Sequence, residues 1–201
     1  MGHFDRQGSN LRRHFSNSAV DSKALFYPRH FLLLACFSLL IGVMSQLHLV
    51  GNLSVAFALY GALHAVALVL AVRSRQEIWK KCLFIGIAAA LCVMTFHFGS
   101  NVAREQSVAL PGKVGLYSPL GLAAFIGAAS YGTLIRLSGI YALTIGELAA
   151  IAAGCVLAAY VSLFTASHFH FLGPWWIAIL WWFAFSGGLW YFDRRHGSPE
   201  T

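Results

Sequence analysis

Residues 53–72 read LSVAFALYGALHAVALVLAV, residues 73–81 RSRQEIWKK and residues 82–100 CLFIGIAAALCVMTFHFGS. Two apolar runs flank a link that carries Arg73, Arg75, Lys80 and Lys81. A hydrocarbon core about 30 Å thick takes roughly 20 apolar residues to cross as helix, and each run has that length. Backbone polar groups in lipid must bond within their own segment, which leaves helices or closed barrels. The runs are too long and unbroken for barrel strands. A basic link between two such runs marks the cytoplasmic side of a membrane.

The same pattern extends in both directions. Apolar stretches fall at about 30–50, 53–72, 82–100, 119–135, 140–165 and 174–192. The expected fold is all-α, a polytopic membrane protein of six transmembrane helices. Arg6, Arg12, Arg13, Lys23 and Arg29 precede the first span, Arg136 follows the fourth, and Arg194 and Arg195 follow the sixth. With the 73–81 link these lie on one side, and only Arg104 and Lys113 lie on the other. The arrangement is therefore N-in/C-in, in a bacterial-type inner membrane. Residues 1–29 read as a basic cytoplasmic tail, 30–192 as the transmembrane domain and 193–201 as a cytoplasmic C-terminal tail. The link at residues 101–117 reads as a longer polar connection. Pro119 and Pro174 suit the first turns of the helices that follow them.

Composition excludes other classes. Apolar residues make up 58% of the chain and charged residues 10%, against about 25% charged in soluble domains. The net charge of +7 does not imply nucleic acid, because the basic residues flank spans rather than forming one face. Cys36, Cys82, Cys92 and Cys155 are scattered without metal or disulfide spacing. The lipid bilayer is the one partner the composition demands. Small residues recur every four positions at Ala124, Ala128 and Gly132, and at Gly146, Ala150, Gly154 and Ala158. Such ridges let helices approach closely in lipid. Helices four and five should cross tightly, or one should meet a second copy or another membrane subunit.

Polar groups inside spans are the candidates for function. Glu147 in the fifth span, His64 in the second and Tyr60 one turn before it define an expected substrate or proton pathway through a polar cavity. A second set lies toward the outer face. His48, His97, His168 and His170 come to similar depth by alternating topology, and imidazole is the commonest metal ligand. Those four are the candidates for a transition metal or haem, although no cofactor is required by the sequence. A serine-hydrolase reading through Ser118 and His170 fails, because Pro119 removes the following N–H from any oxyanion site. The leading expectation is a permease or small-solute transporter. The alternatives are a haem- or metal-handling redox subunit and an accessory subunit of a larger complex.

Overall fold

The computed structural model describes residues 28–46, 52–72, 76–109, 114–169 and 175–197. The described residues are all-helical: α1 (Pro28–Gln46), α2 (Leu53–Ala71), α3 (Ile78–Ala109), α4 (Val114–Leu137), α5 (Ile145–His168) and α6 (Trp175–Gly197). Each helix packs on its neighbours in the chain, and α1 packs on α6. The result is a closed ring of six. Four of the helices, α2 to α5, are long and apolar enough to cross a membrane. Large apolar side chains such as Leu32, Leu70, Met94, Phe125, Leu157 and Phe164 stand exposed around the ring. A soluble protein does not present so much contiguous apolar surface, and these features together point to a membrane protein.

The helix ends follow local chemistry more than hydropathy. Asn52 caps α2, its side chain accepting from the Ser54 and Val55 amides at 2.9 and 3.4 Å, which satisfies two donors the helix cannot. α3 does not stop with its apolar run. It continues through Asn101 to Ala109 as a 32-residue helix, about 48 Å at 1.5 Å per residue. Ala, Arg, Glu and Gln favour helix whatever their polarity, so most of the expected polar connection is helical. α4 then begins at Val114, which places Pro119 inside the helix rather than in its first turn. Pro174 lies outside the described residues.

Beyond the end of α4, Gly139 takes a positive φ of 66°, and its amide bonds the Arg136 carbonyl. A residue with a Cβ is strained in that conformation, and glycine is the usual way to stop a helix there. The segment 138–144 is consequently not helical, although Ile140, Tyr141 and Leu143 are apolar and buried. α5 starts at Ile145, five residues later than the apolar run.

Close approach between helices rests on glycine. A β-carbon on Gly132 would collide with Leu148 of α5, and one on Gly121 with Tyr160 of the same helix. α4 and α5 do cross tightly, but not ridge on ridge. Ala124, Ala128 and Gly132 turn inward. On α5, Gly146 and Ala150 are exposed, and nothing lies within 4 Å of a β-carbon at Gly146 or Gly154.

Candidate functional site

His64 occupies the centre of the ring and is fully buried. Its Nδ1 lies 3.0 Å from the Tyr131 hydroxyl of α4, and its Nε2 lies 3.0 Å from the Ser186 hydroxyl of α6. The imidazole stacks on Trp182 at 4.0 Å between centroids, with the edge of Phe185 beside it. A neutral imidazole donates from one nitrogen and accepts at the other, while a hydroxyl does either, so both tautomers leave every group satisfied. Three alternate helices, α2, α4 and α6, are thus joined across the ring without any net charge. Phe84 of α3 adds a ring contact to Tyr131.

Next to this node, in the half of the ring away from Lys80, Arg136 and Arg194, is a cavity of about 440 Å³. Residues of α2, α3, α4, α5 and α6 line it. Tyr60, Pro119, Ala124, Gly127, Tyr131 and Trp182 form its buried depth; Phe96, Leu120, Leu163 and Ile177 are half-buried, and Ser100 is exposed. The mouth therefore opens toward Ser100. Among the described residues no charged side chain lines the wall, and apart from the Trp indoles the polar side-chain groups come from Tyr60, Cys92, Thr95, Ser100 and Tyr131.

The expected polar pathway is divided by the structure. Tyr60 lines the cavity; His64 lies beneath it, against Tyr131 and Trp182; Glu147 is at the opposite end of the bundle. There the Thr144 amide donates to Glu147 Oε2 at 2.8 Å, and the Glu147 amide donates to Thr144 Oγ1 at 3.2 Å. This capping box satisfies two backbone donors and places a carboxylate where the helix dipole favours it. Glu147 thus sits in the first turn of α5 and not two turns within it.

Tyr141, buried beside this cap, bonds Asp193 at the end of α6. Burial, then the Asp193 and Glu147 carboxylates, push its phenol well above the usual tyrosine range. The fold therefore holds the neutral form. That contribution is complete below about pH 10, where an unfolded tyrosine titrates, and is lost as pH rises above it. In thermal melts from about pH 8 to 11, wild type should lose stability more steeply than Tyr141→Phe. Parallel curves would show that this phenol does not couple to folding.

The four histidines expected toward the outer face are only partly described. His48 and His170 lie outside the described residues. His97, exposed on α3 twelve residues before its end at Ala109, places Nε2 2.9 Å from the Ser54 hydroxyl of α2. His168 closes α5, with Nδ1 2.8 Å from the Phe164 carbonyl and its ring tilted over Phe164. Among the described residues no three His, Cys, Asp or Glu side chains come together in a way that could hold a metal ion.

Sequence reasoning did not single out Tyr131 or Ser186, and of the cavity wall it marked Tyr60 and, as tryptophans too deep for an interfacial belt, Trp181 and Trp182. A signal for the first two is present. His64 is the twelfth residue of α2 and Ser186 the twelfth of α6, while Tyr131, the eighteenth of α4, is the thirteenth from Pro119, where the apolar run of that helix begins. Helices α2, α4 and α6 run in the same direction, so similar offsets along their apolar runs mean similar depth. The chain matches no family model, no curated protein and no solved structure.

Proposed function

We propose that this protein is a six-span permease of a bacterial-type inner membrane, with both termini cytoplasmic. The carrying observation is the 440 Å³ cavity walled by five helices of the ring. α1 and α6 complete the bundle and supply the remaining two spans. The concentration of basic residues on alternate connections sets the orientation. On that orientation the cavity opens to the outer side, and the polar node around His64 closes it from the inner half. Its position near mid-depth is that of the binding sites in many transporters.

Liposomes containing the purified protein, loaded with a mixture of small metabolites, test the reading. Mass spectrometry of the external medium should show at least one component leaving roughly tenfold faster than from protein-free liposomes. The same component should leave slowly when the cavity is narrowed by Leu163→Trp. Equal efflux of every component from loaded protein and empty liposomes would remove the permease assignment.

A further inference from the structure

We infer that the cavity binds an uncharged, largely hydrocarbon molecule carrying a ring, and not a polar or ionic solute. The inference rests on the same cavity as the permease reading and narrows its substrate. A volume of about 440 Å³ lies within the range of pockets that take a whole small molecule.

Three features of the wall set the chemistry. First, among the described residues no charged side chain lines it, so an ionised ligand in its depth would give up water without a charged partner there, at a heavy penalty. Second, the hydrogen-bonding capacity is small and partly used. The Tyr131 hydroxyl is engaged by His64, and the Trp181 indole N–H donates to the Ala124 carbonyl at 3.3 Å. Thr95 and Ser100 sit on the α3 side of the wall, enough to orient one polar group of a ligand. Third, the wall is rich in aromatic rings that favour a planar, apolar partner by edge and offset contacts. Phe57 already lies face to face with Phe96 at 4.1 Å, and Trp181 with Phe185 at 5.6 Å. Those faces are turned to each other rather than forming an open box for a cation. A largely apolar cavity takes up apolar molecules readily.

The hydrocarbon could be a free molecule or the acyl tail of a bilayer lipid; the size of the cavity and its wall of rings favour the free molecule. A matched pair of probes tests this on the full-length protein in nanodiscs. N-phenyl-1-naphthylamine is neutral, and 1-anilinonaphthalene-8-sulfonate is a closely similar ring system with a fixed negative charge. Excitation of the tryptophans, of which Trp181 and Trp182 line the cavity, should give saturable sensitised emission from the neutral probe, with the anionic one binding roughly tenfold or more weakly. Ala178→Phe and Leu120→Trp, which fill the cavity from α6 and α4, should each weaken the neutral probe by about tenfold. Either variant suffices if the other does not fold. Ala158→Phe, outside the cavity wall, should leave affinity unchanged.

Equal affinity for both probes, or no effect of either filling variant in folded protein, overturns the inference. So does a tenfold gain in affinity when straight-chain lipids are replaced by methyl-branched ones, since bilayer tails would then be the occupant. Saturable neutral binding without solute flux keeps this inference and removes the permease. Flux without such binding does the reverse.

Discussion

Replacing His64 with alanine should destabilise the bundle by about 3 kcal/mol, most of it through lost packing rather than lost hydrogen bonds. The imidazole fills the space between Tyr131, Trp182, Phe185 and Ser186 at full burial. Large-to-small changes at such sites typically cost 2–5 kcal/mol, roughly in proportion to the void left behind. The two hydrogen bonds contribute less than their burial suggests. Interhelical bonds in membranes average about 0.6 kcal/mol, because separated helices in lipid also find partners. His64→Phe separates the two effects. It keeps the ring on Trp182 and removes both bonds, and it should cost about 1–2 kcal/mol. Steric trapping or reversible denaturation in mixed micelles would measure both. A loss below about 1 kcal/mol for His64→Ala would show that the node does not hold the ring together.

The second large effect is expected at Gly61, one turn before His64 on α2. A β-carbon there would stand 2.6 Å from the Ala88 carbonyl oxygen and 2.8 Å from Cys92 Sγ. The first contact is with backbone and cannot be relieved by a rotamer change. Gly61→Ala should therefore force α2 away from α3, at roughly 1–3 kcal/mol. Gly154→Ala, on the outer side of α5, adds the same methyl group where nothing lies within 4 Å. It should change stability by less than about 0.5 kcal/mol. Thermal midpoints of the two variants in one detergent make the comparison. Full rescue of Gly61→Ala by Cys92→Ala would show that the thiol, and not the backbone, sets the limit.

Much of the ring was legible in the chain itself, for a physical reason. Where an apolar run meets charge abruptly, as between Val72 and Lys81, hydropathy and helix end coincide, and α2 falls within a residue of its expected bounds. At the far end of α3 the two criteria separate. Residues 101–109 are polar yet favour helix, so the helix outruns the apolar stretch. At the start of α5 they separate in the opposite sense. Ile140, Tyr141 and Leu143 are apolar because their segment is buried, not because it is helical. Counting from them placed Glu147 too deep. His64 stood out as an ionisable group in an apolar run, and equal offsets along parallel helices lead to its partners. The cavity had a weaker signal, in Tyr60 and in Trp181 and Trp182, which lie too deep in their span for an interfacial belt. It exists because Gly127, Ala124 and Ala178 are small where Phe57 and Trp181 are large, on faces of separate helices whose rotation no single run records.

The node at His64 also divides the ring mechanically. α2, α4 and α6 form a tripod bolted at one point, while α1, α3 and α5 are panels set between its legs. Moving a leg breaks hydrogen bonds at the node. Moving α3 or α5, both of which wall the cavity, breaks neither of them. The panels are held to the legs by other contacts, His97 to Ser54 between α3 and α2 and Trp176 to Thr165 between α6 and α5, so the node itself constrains the legs alone.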